Sequence, residues 1–126
     1  MNNEWRVAHA FNSALLGWLV VMPRRHVESV HELNDAEVAS LGPLLRQVSA
    51  ALVEVLGCVK TYVVMFAEMP GFTHLHFHII PRRTNLPEEL RGGKVFDYLK
   101  RPEAQWVSAE QRRELALQLR EHGGKV

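Results

Sequence analysis

Three histidines alternate with apolar residues in the run His74-Leu75-His76-Phe77-His78. Residues two apart on a β-strand point to the same face, so the three imidazoles would form a row about 6.5–7 Å apart while the apolar side chains face the core. Neutral imidazole is a nucleophile near neutral pH, and its neighbours can donate hydrogen bonds to an anion or pass a proton. The pattern therefore predicts a site for phosphorus chemistry, in which one nitrogen attacks and several donors hold charge on the oxygens.

A zinc site is the main chemical alternative, because imidazole is a common zinc ligand. Two alternate histidines could converge on one ion. However, no Cys, Asp or Glu stands beside them at ligand spacing, and Glu68 is the only carboxylate close in sequence. We therefore rank a metal site second, and we expect neither a metal nor another cofactor.

Basic residues follow two predicted strands. Arg82 and Arg83 come after the histidine run, and Arg24 and Arg25 come after an earlier apolar run. Such residues can bind phosphate oxygens or lie in solvent at a strand end, and the sequence leaves both open. His26 could also reach the site, although a loop histidine is more often exposed.

The strands that position these residues are predicted from β-branched and aromatic runs that turn residues interrupt. We predict strands over residues 4–11, 18–22, 60–67 and 74–80. Pro70-Gly71 provides a short turn between the last two strands, which must then be antiparallel neighbours.

The clearest helix begins at Asn34, where Glu37 completes a capping box, and Gly57 ends it. Gly42-Pro43 predicts a kink or a short first segment. The apolar stripe of this helix consists of Val38, Leu41, Leu45, Val48, Leu52 and Val55.

Residues 84–106 have no regular pattern, and the aromatic side chains of residues 94–106 could cover the sheet or contact a second copy of the chain. Ser108 and Gln111 form a second possible capping box. We predict a C-terminal helix there that ends near Gly123.

Length and composition indicate one globular domain. The chain has 126 residues, 47% of them hydrophobic, and a net charge of +1. This charge gives no reason to expect a nucleic-acid partner. The single cysteine, Cys58, and the lack of a signal-peptide pattern favour a cytoplasmic protein, and the apolar stretch at residues 14–22 is too short to cross a membrane.

The segment from His74 to Ile80 resembles the signature of the histidine triad (HIT) family, and the following Pro81-Arg82 occurs in many members. The segment from Gly17 to His26 is similar to a second family pattern, in which a glycine is followed by a strand, a proline, basic residues and a histidine. The resemblance predicts a single HIT-like domain over residues 1–126. Its core covers residues 7–83, and residues 84–126 form a C-terminal extension of that core. The resemblance implies an α+β fold, in which a long helix packs across an antiparallel sheet of about five strands and a C-terminal helix follows. It also implies that the protein is a homodimer, as is common in the family.

The resemblance also implies an activity: nucleotidyl hydrolysis or transfer at the α-phosphate of dinucleoside polyphosphates or nucleoside phosphoramidates. By motif position His76 would be the nucleophile that forms a covalent nucleotidyl-imidazole. His74 and His78 would orient His76 and bind phosphate oxygens, and the Thr73 hydroxyl would contact phosphate. Arg82 and His26 are further candidate phosphate-binding residues.

Some positions depart from the family's pattern. Trp18 stands where many members have a fourth histidine, and it would either pack in the core or stack on a base. No acidic residue for the ribose occurs in residues 8–16, where Asn12 is the nearest polar substitute. An asparagine often found before the triad is replaced around Phe66-Ala67. These departures leave open a second function, a module that binds a nucleotide without turning it over.

Overall fold

A four-stranded antiparallel sheet is the centre of the fold in the computed structural model, which describes residues 3–123. The strands are β1 (Trp5–His9), β2 (Leu19–Pro23), β3 (Lys60–Val64) and β4 (Phe77–Arg82). Their order across the sheet is β1-β2-β4-β3. The predicted antiparallel pairing of the last two strands is confirmed by their register, in which Tyr62 lies opposite Ile80.

The strand count corrects one expectation. The family resemblance implied about five strands, whereas residues 3–123 contain four. Those four are the ones that the apolar runs and turn residues predicted, with ends shifted by up to three residues. The fifth strand rested on the resemblance alone, and no residue pattern indicated it.

The long helix α1 (Asp35–Leu56) begins and ends as its sequence predicts. Asn34 Oδ1 accepts a hydrogen bond from the Glu37 backbone N–H at 2.9 Å, and Glu37 Oε1 accepts one from the Asn34 N–H at 2.8 Å. Gly57 follows the helix with φ of 66°, the left-handed conformation that glycine adopts without strain. The helix continues through Pro43, so the prediction of a separate short first segment is wrong.

The main core lies between α1 and one face of the sheet. The C-terminal helix α2 (Ala109–Glu121) packs beside α1, and its capping box at Ser108 is confirmed. The fully or nearly buried residues of this core include Val7, Leu19, Val21, Leu44, Val48, Leu52, Ile79, Leu115 and Leu119.

The opposite face of the sheet has a smaller core. A 3₁₀ segment, Gly92–Leu99, covers part of this face and packs Val95 and Phe96 against Trp18 and Ile80. Of the two positions we considered for this segment, the structure therefore supports the one on the sheet. The rest of the face remains open and carries the histidines.

By length and composition alone, α1 could cross a membrane. Leu44, Val48 and Leu52 of this helix are buried against the sheet. A core helix of a globular protein meets the same criterion, so its composition is weak evidence for a membrane span.

Candidate active site

His78 is the only member of the histidine run that lies within the sheet. It is opposite Val20 of β2 and Val64 of β3. Its ring lies on the face opposite α1, with ring centroids 5.6 Å from Trp18 and 5.1 Å from Phe96. The predicted division, with His78 on one face and the neighbouring apolar residues on the other, is confirmed here.

His74 and His76 precede β4, which begins at Phe77. The prediction of one continuous strand over residues 74–80 is therefore wrong. The Leu75 backbone N–H donates to the Val27 carbonyl at 2.8 Å, which ties this segment to the chain after β2 rather than to a strand of the sheet. His74 and His76 are therefore not part of a straight row of imidazoles along β4. They lie near His78 at the beginning of that strand.

The tautomer of His78 follows from its partner. Trp18 Nε1 donates a hydrogen bond to His78 Nδ1 at 3.0 Å, and an indole nitrogen can only donate. Nδ1 must therefore be the acceptor, and the neutral ring carries its proton on Nε2. Burial, with a smaller contribution from nearby His76, lowers the pKa of His78 to about 4. At neutral pH His78 is thus an uncharged donor through Nε2.

The tautomer of His76 is fixed by the backbone. His76 Nδ1 lies 2.8 Å from the His74 carbonyl oxygen, which can only accept, so Nδ1–H is the donor. In the neutral ring the unshared electron pair is then on Nε2. The His76 and His78 ring centroids are 4.8 Å apart and the rings are nearly perpendicular. The arrangement places a nucleophilic nitrogen beside a neutral N–H donor.

The imidazole ring of His74 is held by a hydrogen bond from Nε2 to the backbone. Its Nε2 donates to the Pro23 carbonyl at 2.8 Å, while its buried Nδ1 has no hydrogen-bond partner among the described residues. Its ring stacks on His26, with centroids 5.3 Å apart. The Glu28 carboxylate accepts a hydrogen bond from Thr73 Oγ1 at 2.8 Å and lies 3.7 Å from His26 Nε2.

A pocket of about 880 Å³ contains all three histidines in its wall. Ala8 of β1 and Val20 and Met22 of β2 line it from the sheet, and Phe66 and Phe72 line it from the β3–β4 connection. Its volume lies within the range of pockets that hold small organic ligands. Among residues 3–123, no three His, Cys, Asp or Glu side chains are arranged to hold a metal ion.

The family model of the HIT domain matches residues 2–85. The chain belongs to the HIT family.

Solved structures of HIT proteins have the same fold. A histidine triad protein from Bradyrhizobium japonicum is 24% identical with a TM-score of 0.78, over 97% of this chain and 86% of that one. A histidine triad protein from Sinorhizobium meliloti is 26% identical with a TM-score of 0.69, over 83% and 73%. A hypothetical histidine triad nucleotide-binding protein from Sulfolobus tokodaii is 19% identical with a TM-score of 0.72, over 97% and 79%. No curated protein sequence matches this chain significantly.

Two of the additional candidates in this HIT protein, Trp18 and Asn12, line the pocket. Trp18 is fully buried and its indole N–H is bound to His78, so its contact with the site includes positioning that ring. Thr73 and His26 lie next to His74 but do not line the pocket. The hydroxyl of Thr73 is already bound to Glu28.

The predicted phosphate contacts of the basic residues are corrected. Arg82 lies opposite Lys60, four residues beyond His78 and thus about 13 Å along β4. Its Nη1 donates to the Arg83 carbonyl at 2.7 Å. Arg25 binds the Glu37 carboxylate at 2.8 Å, so it is held at the start of α1 instead of clamping a phosphate.

Several residues in the pocket wall of this HIT protein were not among the predicted site residues. His9 donates through Nδ1 to the Ala10 carbonyl and accepts at Nε2 from the Gly17 N–H at 2.9 Å, so it joins the end of β1 to the following turn. Burial lowers its pKa. Arg6 and Ala8 share the pocket face of β1, and the period of two in that strand could have identified them.

Proposed function

We propose that this HIT protein is a nucleotide phosphate hydrolase or nucleotidyl transferase that acts at the α-phosphate of a nucleotide conjugate, with His76 as nucleophile. The observation that carries the proposal is the hydrogen bond between His76 Nδ1 and the His74 carbonyl at 2.8 Å. It leaves the unshared pair on His76 Nε2, in the wall of a pocket of ligand size. The nucleotide-binding designation of the Sulfolobus tokodaii relative supports the choice of ligand.

The proposed reaction has two displacements at phosphorus. His76 Nε2 bonds to phosphorus, the bond to the leaving group breaks, and that group departs with a proton supplied through solvent. Water, or another acceptor in a transferase, then attacks the phosphorus and the bond to imidazole breaks. Hydrolysis yields a nucleoside monophosphate and the protonated leaving group. The neutral His78 Nε2–H is suited to hold a phosphoryl oxygen through both displacements.

A second candidate function is nucleotide binding without turnover. It is favoured by the shortage of available cationic side chains around the histidines. Arg82 lies at the far end of β4, and Arg25 is paired with Glu37. The hydroxyl of Thr73 is likewise bound to a carboxylate. Fewer donors would then stabilise the transition state than the sequence predicted.

We also propose a homodimer formed through the outer edge of β3. Within residues 3–123, β4 is the only strand that pairs with β3, so the outer edge of β3 can pair with a strand of a second copy. Val59 and Val63 are exposed at this edge, and Val53 is exposed on α1. Burial of these side chains together with the edge would stabilise an association.

Mass spectrometry of the intact protein tests the enzymatic function. Wild-type protein and the His76→Ala variant are incubated briefly with adenosine 5′-phosphoramidate or diadenosine tetraphosphate and quenched without acid, because P–N bonds are acid-labile. We expect an adenylyl adduct on the wild type alone. His31→Ala, an exposed histidine outside the pocket, is the matched control. Turnover by His76→Ala at the wild-type rate would contradict the mechanism, whereas tight nucleotide binding with neither adduct nor product would favour the binding function.

A further inference from the structure

The turn between β1 and β2, residues 10–18, is held by the imidazole ring of His9. His9 is the last residue of β1, is half-buried and lies in the wall of the histidine pocket. Its Nδ1 lies 2.8 Å from the Ala10 carbonyl oxygen, which can only accept, so Nδ1 carries a proton. Its Nε2 lies 2.9 Å from the Gly17 backbone nitrogen, which can only donate, so Nε2 has the unshared pair. The neutral ring with its proton on Nδ1 is the one form that makes both bonds.

The bond from Gly17 to His9 bears directly on Trp18, the next residue. The Trp18 carbonyl accepts from the Ala10 N–H at 2.8 Å, whereas the Trp18 N–H donates to the Leu15 carbonyl at a longer 3.3 Å. Residues 9 and 10 therefore hold the peptide group before Gly17 and the peptide group after Trp18. The position of the Trp18 backbone consequently depends on the end of β1.

Gly17 is the point at which this turn has the least common backbone. Its φ is 96°, and it lies between Leu56 of α1 and Pro81 of β4, where a Cβ atom would overlap both side chains. Among the described residues, the acceptor of the Gly17 N–H is His9 Nε2. If that acceptor is lost, the N–H is left unpaired unless the turn moves toward water. We expect the turn to move, and Trp18 with it.

A small movement of Trp18 is enough to change His78. Trp18 Nε1 donates to His78 Nδ1 at 3.0 Å, and such a bond weakens steeply as its length and angle depart from their best values. This bond selects the tautomer of His78 that carries its proton on Nε2. The contacts that begin at His9 therefore end at the neutral donor beside His76.

We infer that His9 is a positioning residue, which holds the β1–β2 turn so that Trp18 fixes His78 as a hydrogen-bond donor. The inference rests on the proposed function for its kinetic consequence, because His78 is the donor in the proposed reaction. His9 acts through Trp18 and does not contact the reacting atoms. Although it lies in the pocket wall, both of its ring nitrogens are bound to the backbone.

Protonation of His9 undoes this arrangement. A second proton, on Nε2, would face the Gly17 N–H, and two donors cannot form a hydrogen bond. Burial lowers the pKa of His9, the bond to the Ala10 carbonyl opposes this effect, and the positive charge of Arg112 on α2 adds to it. His9 is therefore neutral at neutral pH and releases the turn in acid. The other titratable or charged residues in the described pocket wall are Arg6, Glu68, His74, His76 and His78.

NMR of variants tests the positioning without turnover. His9→Gln keeps an oxygen that can accept from the Gly17 N–H, whereas His9→Phe does not. His31→Phe, at an exposed histidine outside the pocket, is the matched control. At neutral pH we expect ¹⁵N spectra to show one His78 tautomer in the wild type, His9→Gln and His31→Phe, and a mixture of both tautomers in His9→Phe. A single tautomer in folded His9→Phe would overturn the inference.

Titration of the wild type gives a second test that does not depend on the folding of His9→Phe. The Trp18 indole N–H signal should move as the pH falls below about 6.5, with the same midpoint as the His9 ring. A separate step should follow near pH 4, where His78 is itself protonated, because the pKa of His78 is lowered to about 4. In His9→Gln only this later step should remain. A Trp18 signal that titrates equally in both proteins, or that ignores protonation of His9 in the wild type, would refute the positioning role.

Kinetics separates this inference from the proposed function. With adenosine 5′-phosphoramidate, His9→Phe should lower kcat about tenfold and change KM much less, because the His78 donor acts mainly in the transition state. His9→Gln should restore most of kcat. If the wild type formed no product, a mixture of His78 tautomers in His9→Phe would still support the positioning role. An active wild type with the same kcat in His9→Phe would contradict the inference and leave the proposed function intact.

Discussion

Trp18 Nε1 donates a hydrogen bond of 3.0 Å to His78 Nδ1. Trp18 stands at the position where the family pattern in the sequence analysis has a fourth histidine. Trp18 is fully buried and also contacts Phe96 edge-on at 5.2 Å. The tryptophan therefore contributes to the core and selects the tautomer of His78 at the same time. A buried ring in one tautomer is a fixed donor, and such a donor stabilises charge on phosphate oxygens without reorganising.

The substitution Trp18→Phe should release the His78 ring from its single tautomer. The phenyl ring retains most of the packing but lacks the N–H donor, so both neutral tautomers become populated. In the wild type, ¹⁵N NMR should show an unprotonated Nδ1 and a neutral ring at all pH values well above 4, because burial lowers the pKa of His78 to about 4. Trp106→Phe, which removes a donor to the Arg101 carbonyl outside the pocket, is the control. Titration of wild-type His78 near pH 6.5 would refute the assignment.

The burial of His78 also predicts a pH dependence of stability. Since its folded pKa is below its unfolded value, the unfolded state binds the proton first as the pH falls. The free energy of unfolding should therefore decrease from about pH 6.5 to about pH 4 through this residue, and change no further below that range. Chemical unfolding of wild type and His78→Gln at several pH values measures the difference. An equal slope in both proteins would contradict the prediction.

Gly17→Ala should destabilise the protein, because a Cβ atom at this position would lie 2.9 Å from the Pro81 ring and 2.5 Å from Leu56. Gly17 also has φ of 96°, and left-handed backbone costs other residues about 1–2 kcal/mol. Overpacking adds a cost of about 1–3 kcal/mol. Gly42→Ala in α1 is the control, with open space at its Cβ and an expected gain of about 0.5–1 kcal/mol. Urea unfolding compares the two, and equal effects would refute the steric argument.

Glu37→Gln should lower stability at neutral pH. The Arg25 hydrogen bond and the Asn34 backbone N–H lower the pKa of this buried carboxyl. The stability that Glu37 contributes is fully present above its unfolded pKa of about 4.3. It is lost as the pH falls through the lower pKa of the folded state. Loss of the charge that pairs with Arg25, with the amide oxygen still accepting from the Asn34 N–H, should cost about 1–3 kcal/mol at pH 7 and flatten the acid part of the stability profile. Glu54→Gln, exposed on the same helix, is the control, and an identical profile for both variants would contradict the prediction.

The features that local sequence determined were predicted well. Both capping boxes, at Asn34 and Ser108, involve residues three positions apart, so their partners can be read from the sequence. The alternation that places His78 on the face opposite α1 depends only on strand geometry. The apolar stripe predicted for α1 was right in part: Val48 and Leu52 are buried in the main core, whereas Val38 is exposed and the buried Leu44 was not predicted.

The features that were missed depend on contacts between distant residues. Leu75 leaves the strand because its N–H binds the Val27 carbonyl, 48 positions earlier, and no local pattern indicates this bond. Thr73 binds Glu28 in a similar way. The position of Arg82 could have been predicted, because a residue four positions beyond His78 on a strand lies too far from its ring.

Val63→Lys should convert the proposed homodimer into a monomer. Val63 lies at the outer edge of β3 with 47% of its surface exposed, and an edge lysine opposes pairing with another strand because its charge would lose water. Light scattering at micromolar concentration should give the mass of two chains for the wild type and of one chain for the variant. Leu117→Lys, on the exposed face of α2, introduces the same charge away from this edge and should remain dimeric. A monomeric wild type, or a dimeric Val63→Lys variant, would exclude this edge as the interface. Because β3 lies on the opposite side of β4 from β2, loss of the dimer should leave the hydrogen bond between Trp18 and His78 in place.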